Sequence, residues 1–259
     1  MKIHFIQMIG IIVLGFMASI GKFVIFSINT LYWLIKPPIY INQLFRQIID
    51  IGFLSLPVVG LTALFSGMVL AIQSYTGFAR FGAEDTVATV VVLSITRELG
   101  PVLAGLMVAG RVGAAIAAEI GTMKVTEQID ALYVMSTRPI QYLIVPRVIA
   151  GIICLPFLVL VGDIIGIMGG WIIGVTQLGF NSTLYIQRTI EYLEFKDVLQ
   201  GLVKASVFGF IITLMGCYQG FHCGQGAQGV GRATTDAVVS SSILILVFNY
   251  IITSSFFGN

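Results

Sequence analysis

Apolar stretches long enough to cross a membrane alternate with short polar segments along most of this chain. No charged residue occurs in residues 51–79, a stretch longer than the roughly 20 residues that one transmembrane helix needs. Similar apolar regions recur further on, at about residues 86–123, 142–175, 198–221 and 237–257. The pattern predicts an all-α integral membrane protein with about five transmembrane helices.

The composition agrees with this class and argues against several others. Hydrophobic residues make up 57% of the sequence, charged residues 10%, and mean hydropathy is +0.99, more apolar surface than a soluble chain of this size could bury. The net charge of +2 is too small to favour a nucleic-acid partner. His4 and His222 are isolated and the three cysteines lack metal-ligand spacing, so we predict no metal site and no cofactor.

The N-terminal segment is harder to assign. We divide the chain into residues 1–47, an interfacial or elbow segment, and residues 48–259, the transmembrane domain. Lys22 interrupts the apolar run, and the prolines after Lys36 end any helix there. Residues 5–34 could therefore span the membrane or lie in its interface, and the sequence leaves this question open.

The distribution of basic residues predicts the orientation in the membrane. One set of span ends carries Lys36, Arg46, Lys124, Arg138, Arg147 and Arg232, and the other carries Arg80, Arg188 and Lys196. By the positive-inside rule the richer set is cytoplasmic. A polar helix at residues 126–135 and a glycine-rich connector at 220–231 would then be inside, with the loops at 76–86 and 177–197 outside.

The second predicted span carries Arg97, Glu98, Arg111 and Glu119. A charge at the centre of a bilayer costs about 2.5–3.5 kcal/mol or more, so such charges usually face a partner or a cavity. Pro101 should kink the helix beside the first two. At about 100° per residue, Arg97, Arg111 and Glu119 fall in one sector, with Glu98 to one side. They could form an intramolecular salt-bridge cluster or line a cavity for a charged head group.

Two further patterns in this region predict packing and docking. A small residue at every fourth position makes a smooth helix surface for close packing, within the subunit or across a dimer: Gly105, Ala109, Gly113, Ala117 and Gly121. Residues 126–132 predict a short helix with Thr126 as N-cap and with Ile129, Leu132 and Tyr133 for docking. That helix could be a simple connector or could bind a partner protein.

Known catalytic motifs do not fit. Residues 224–229 match G-x-G-x-x-G, but they follow a membrane span and no βαβ unit surrounds them, so a dinucleotide site is not predicted. An intramembrane enzyme would need an acid–base or metal constellation that the sequence lacks. From the residues alone, transport is the favoured function, and an ion- or proton-coupled secondary carrier is an alternative.

Three long motifs resemble the MlaE (YrbE) family of ABC transporter permeases over about residues 45–257. They are RELGPVLAGLMVAGRVGAAIAAEIGTMKVTEQIDAL, ALYVMSTRPIQYLIVPRVIAG and GVGRATTDAVVSSSILILVFNYIIT. The resemblance implies a homodimeric, non-catalytic permease in the bacterial inner membrane that moves phospholipid between inner and outer membranes. It also implies a cytoplasmic ABC ATPase that hydrolyses ATP, a STAS-domain protein and a periplasmic MCE-domain ring protein as partners.

The same resemblance assigns candidate site residues. The R-E-L-G-P motif implies a lipid-binding site at Arg97, Glu98 and Leu99. The T-E-Q motif and the helix after it imply a coupling surface for the ATPase at Thr126, Glu127, Gln128 and Asp130. The sequence departs from the family at Ser136, where Gly is frequent, and at Asn249, where Asp is frequent. If that acid pairs with a base in the family, Asn249 reduces the pair to a neutral hydrogen bond.

Overall fold

The computed structural model describes residues 2–38 and 40–257, and helices are the only regular secondary structure in these ranges. Five helical segments have the length and apolar composition to cross a membrane, so the all-α, five-span prediction is confirmed. We refer to them as the first to fifth spans: Ile41–Phe81, Glu84–Val125, Ile140–Thr176, Phe195–Phe221 and Gly226–Phe256.

Several spans contain more than one helix. The α-helices in chain order are α1 (Lys2–Ile35), α2 (Ile41–Ile51), α3 (Leu56–Phe78), α4 (Val87–Ser94), α5 (Gly100–Val108), α6 (Ala114–Val125), α7 (Gln128–Val134), α8 (Val145–Thr176), α9 (Ser182–Tyr192), α10 (Phe195–Phe221) and α11 (Gly226–Phe257).

The centre of the bundle is formed by α8 and α10, with α3 packed against α8, and with α6 and α11 packed against α10. Glycine allows two of these contacts to be very close. A Cβ on Gly67 of α3 would overlap the Gly166 carbonyl of α8, and a Cβ on Gly209 of α10 would overlap the Gly151 carbonyl of α8. The helix backbones touch there, as in small-residue packing between membrane helices.

The predicted ridge of small residues packs inside the chain. Ala109 and Ala117 are fully buried. A Cβ on Gly113 would make ordinary contact with Ile212 of α10, and one on Gly220 of α10 would crowd the Ala117 carbonyl. Of the two alternatives for this ridge, the structure therefore favours packing within the subunit.

Two π-helical turns interrupt the second span. Ile95–Leu99 joins α4 to α5, and Ala109–Gly113 joins α5 to α6. In the first, the Gly100 N–H donates to the Ile95 carbonyl, five residues back. Pro101 has no N–H to continue an α-helical ladder, so the irregularity falls where the sequence predicted a kink. Such turns are frequent at functional sites.

The C-terminal half of α1 runs across one end of the bundle. Phe26 contacts Phe221 at the end of the fourth span, with ring centroids 6.0 Å apart. Gln141, at the beginning of the third span, donates to the Lys36 carbonyl over 3.0 Å. Both neighbours lie at the same end of the bundle, although Phe26 and Lys36 are ten positions apart along the chain. These contacts favour an in-plane helix here.

Two predicted loops are wrong. The connector at 220–231 is mostly helical, because α10 continues to Phe221 and α11 begins at Gly226. Two of its glycines allow close packing: a Cβ on Gly229 would overlap the Gly224 carbonyl, and one on Gly220 would crowd the Ala117 carbonyl. The outer loop at 177–197 contains α9, whose first turn is capped by the Asn181 side chain, the acceptor of two backbone N–H groups.

Candidate functional site

Glu98 is the centre of a polar network inside the membrane-spanning bundle. Its Oε1 accepts hydrogen bonds from Lys204 Nζ at 2.8 Å and from Thr253 Oγ1 at 2.9 Å. Its Oε2 accepts from Asn249 Nδ2 at 2.9 Å. The donors come from α10 and α11, so one carboxylate joins the second, fourth and fifth spans. Glu98 is still 39% exposed, so the network opens on one side.

Lys204 is completely buried, and the local backbone explains its position. In an α-helix the Arg97 carbonyl would accept from residue 101, but Pro101 has no N–H. Lys204 Nζ donates to that carbonyl at 2.9 Å while also pairing with Glu98. The proline and the buried ammonium group therefore complement each other, and the cost of burying the lysine is offset by its ion pair and hydrogen bonds.

Arg97 pairs with a different acid. Its Nε donates to Asp197 Oδ1 over 2.7 Å, at the beginning of α10. Asp197 is almost fully buried, and its other oxygen accepts from the Glu194 N–H in a capping box, so the carboxylate is held in place. Arg97 and Glu98 of the second span therefore both contact α10, Arg97 through Asp197 and Glu98 through Lys204.

The predicted sector of charges is wrong as a single cluster. Arg111 donates to Ser55 Oγ at 2.7 Å and to the Asp50 carbonyl, which links the second span to the first. Glu119 pairs with the buried Arg147 of α8 at 2.9 Å. Each π-turn adds a residue to the helical repeat and rotates the residues after it, so a uniform 100° per residue fails across the turn. Arg97 and Glu119 form ion pairs, and Arg111 is hydrogen-bonded to neutral groups, each at a separate place.

Leu99 lies apart from the Glu98 network. It lines a narrow crevice between α3, the second span and α8, together with Thr62, Ser66 and Leu103. Asp163 of α8 is close to the same turn of the second span. Its Oδ1 is buried beside Gly100 and has no hydrogen-bond partner among the described residues.

The predicted coupling residues are all exposed: Thr126, Glu127, Gln128 and Asp130. The predicted N-cap is wrong. Thr126 is instead the C-cap of α6, and its hydroxyl donates to the Thr122 carbonyl at 2.8 Å. The chain then turns at Glu127, which has φ of +58°, and α7 begins after it. Asp130 lies 3.5 Å from Lys124, which ties α7 to the end of α6.

The predicted docking side of α7 is only partly right. Ile129 is fully buried in the bundle and Leu132 packs against the core, so these two residues anchor the helix. Tyr133 is exposed as predicted, and its exposed apolar neighbours are Val134 and Met135. The free surface of α7 therefore combines polar side chains at its beginning with an apolar end.

Sequence reasoning missed the partners of the site. Asp197 lies 100 residues from its partner Arg97, and Lys204 and Thr253 lie 106 and 155 residues from Glu98, so no single motif contains any of these pairs. A charged residue within an otherwise apolar span was the available signal for Lys204. Asp197 was assigned to the charged loop at 177–197, so its position in the first turn of α10 was not predicted.

Comparison with known proteins identifies relatives along the whole chain. The family model described as Permease MlaE matches residues 44–255. The chain is 61% identical over 257 residues to a probable ABC transporter permease protein of Rickettsia typhi, covering 99% of both. It is 36% identical over 263 aligned positions to the intermembrane phospholipid transport system permease protein MlaE of Haemophilus influenzae, covering 100% of this chain and 99% of the relative.

A plant protein is also similar. The chain is 38% identical over 224 residues to the chloroplastic protein TRIGALACTOSYLDIACYLGLYCEROL 1 of Arabidopsis thaliana, covering 86% of this chain and 64% of that relative.

Proposed function

Because this chain belongs to the MlaE permease family, we propose that it is the membrane-spanning subunit of an ABC-type phospholipid transporter in a bacterial inner membrane. The observation that supports this most strongly is the partly open Glu98 network within a bundle of five spans. Its chemistry suits a lipid head group better than an apolar cargo.

The charges around this network suggest how a head group is bound. Arg97 and Glu98 are 33% and 39% exposed, although each has an ion-pair partner. A guanidinium group binds phosphate oxygens well, and a carboxylate complements the ammonium group of a zwitterionic lipid. Leu99 would contact the beginning of the acyl chains from the adjacent crevice. We assign lipid binding to these three residues.

Work is supplied from outside the chain. We assign ATPase docking to the exposed surface of α7 and its approach, which carries Thr126, Glu127, Gln128 and Asp130. A cytoplasmic ABC ATPase would bind there, and movement of α7 would reach the second span through the end of α6. A homodimer of this chain, a STAS-domain protein and a periplasmic MCE-domain ring complete the proposed assembly, which moves phospholipid between inner and outer membranes.

Affinity purification in mild detergent, followed by mass spectrometry, tests the assembly. We expect an ABC ATPase and phospholipid to co-purify with the tagged chain, and lipid transfer between vesicles to require ATP. A chain that purifies alone and takes up solute along an ion gradient would establish the secondary carrier instead. The family comparisons do not favour that alternative.

Substitutions at the network test the lipid site. Arg97→Ala and Glu98→Ala should abolish lipid transfer while the ATPase still co-purifies, and Glu98→Gln should keep the fold with fewer structural changes. Glu191→Gln, at an exposed acid of α9, is the matched control. If Glu98→Gln assembles and transfers lipid at the normal rate, the carboxylate has no role in binding.

Glu127 tests the coupling surface. Glu127→Gln keeps the size of the side chain and should leave ATP hydrolysis running without lipid transfer. Glu191→Gln, the same change at an exposed acid of α9, is the matched control. Normal coupling in Glu127→Gln would remove this residue from the docking surface.

A further inference from the structure

Two cations from distant parts of the sequence meet at one indole ring. The Arg138 guanidinium carbon lies 4.1 Å from the ring centroid of Trp33, and Lys36 Nζ lies 5.7 Å from the same ring. Lys36 also donates to the Tyr32 hydroxyl, and its Nζ lies 4.2 Å from that ring's centroid. Cation–π contact explains the attraction to the rings, but not why two like charges share one of them.

This arrangement is held by the backbone on both sides. Gln141 Nε2 donates to the carbonyls of Lys36 and Pro38 at 3.0 and 3.2 Å, which fixes the turn after α1 against the beginning of the third span. Tyr40 packs edge-on against Tyr142 with centroids 4.9 Å apart. The two cations therefore project from a clamped junction and not from a loose tail.

No acid neutralises this pair in the described ranges, 2–38 and 40–257. None of the salt bridges there includes Lys36 or Arg138. The Arg138 guanidinium donates no hydrogen bond to a described residue, although it has five N–H groups to offer. Both side chains are exposed, and Trp33 is half-buried. The site has donors and positive charge, and it lacks an anion.

The position of the site indicates which anion. Arg138 immediately precedes Pro139 and the third span, and Tyr and Trp residues surround the site as they do at the head-group level of membranes. We propose that Lys36 and Arg138 bind the phosphate of an anionic phospholipid in the leaflet at this end of the bundle, beside Trp33. Lipids with a net negative charge attract such basic positions at membrane surfaces.

This lipid is separate from the transported one. The Glu98 network lies towards the other end of the spans, since Lys204 is in the first half of α10 and Phe221, next to α1, is at its end. The new site instead adjoins α7, which ends at Val134. A lipid bound there would hold α1 against the α7–α8 junction, beside the surface to which we assign the ATPase.

Quenching of Trp33 fluorescence tests the site without any transport assay. The full chain with Trp171→Phe retains Trp33 as its single tryptophan, because the sequence has two. It is placed in vesicles containing brominated phosphatidylglycerol or, at the same mole fraction, brominated phosphatidylcholine. We expect phosphatidylglycerol to be preferred by about thirtyfold, since two basic side chains near an anionic membrane surface contribute about 1 kcal/mol each.

A matched pair of variants identifies the residues responsible. Lys36→Gln with Arg138→Gln should remove the preference, whereas Arg80→Gln with Lys196→Gln, two exposed cations at the opposite end, should keep it. Equal thermal unfolding of both variants would show that the fold is intact. Equal quenching by the two lipids in the chain that retains Lys36 and Arg138 would overturn the proposal. A preference for phosphatidylglycerol that survives in the Lys36→Gln, Arg138→Gln variant would also overturn it.

Inorganic phosphate distinguishes a lipid head group from a free anion. Millimolar phosphate, compared with chloride at equal ionic strength, should leave the phosphatidylglycerol preference unchanged. Specific loss of the preference on adding phosphate would identify free phosphate as the ligand and overturn the assignment to lipid.

Discussion

Replacing Lys204 with methionine should destabilise the bundle and should do so through Glu98. The methionine fills a similar volume but removes the 2.8 Å ion pair and the 2.9 Å hydrogen bond to the Arg97 carbonyl. Pro101 offers no N–H to replace the lost donor. Among the residues that the structure describes, Glu98 would keep the donors on Asn249 and Thr253.

The magnitude depends on the exposure of the two partners. Removing one member of a buried ion pair costs about 3–5 kcal/mol, because it leaves an uncompensated charge. Lys204 is fully buried, but Glu98 is 39% exposed and keeps two hydrogen bonds, so solvent screening lowers the cost. We expect a loss of about 2 kcal/mol, which for a chain of this size corresponds to about 4–8 °C in melting temperature.

A double-mutant cycle in detergent separates this effect from general damage. Thermal unfolding is measured for Lys204→Met, for Glu98→Gln and for the combination, with Lys196→Met, at an exposed lysine, as the control. The combined variant should regain about 1–2 kcal/mol relative to the sum of the single changes. If the two single losses simply add, Glu98 and Lys204 are not coupled and the reasoning is refuted.

Three further predictions use other features. Pro101→Ala supplies a backbone N–H to the Arg97 carbonyl, which now accepts from Lys204. In the same unfolding assay, Lys204→Met should therefore cost about 1 kcal/mol less in the Pro101→Ala background than in the unchanged chain. Gly209→Ala should cost at least about 2 kcal/mol because its Cβ meets backbone, whereas Gly110→Ala, with open space, should change unfolding by less than about 0.5 kcal/mol. Burial raises the pKa of the Cys223 thiol. Its alkylation, followed by mass spectrometry, should therefore be slower than that of free cysteine near neutral pH, and the rate should keep rising above about pH 8.5. A pH–rate profile equal to that of free cysteine would contradict this prediction.

The five spans were predictable because membrane insertion depends on a local property. Twenty or so apolar residues in sequence suffice for a span, and residues 51–79 meet that requirement without reference to any other part of the chain. The π-turn beside Pro101 was also signalled locally, as a kink.

The partners of the charged residues could not be predicted in the same way. Glu98 meets Lys204, 106 residues away, and Asn249, 151 residues away, and no spacing rule connects these positions. Asn249 also has a different role from the weakened pair that the sequence predicts. Its amide donates to the Glu98 carboxylate, which an Asp at this position could do only in its protonated form, so Asn suits this network.

Glycine misled the prediction at the fourth and fifth spans. A stretch rich in glycine favours a flexible connector when its neighbours are unknown. In the folded chain most of 220–231 is helical, and Gly220 and Gly229 are needed because other backbone atoms occupy the space of a side chain. The same composition therefore has opposite meanings in water and in a packed membrane bundle.

The long reach of the Glu98 network also affects how the protein is made. Lys204, the residue that neutralises Glu98, leaves the ribosome 106 residues after Glu98 does. At about 5–20 residues per second, that interval is roughly 5 to 20 s. During this time the second span carries unpaired charges, which disfavour release into lipid. We therefore expect the insertion machinery to retain this helix until the fourth span has been synthesised, so that early and late spans enter the bundle together.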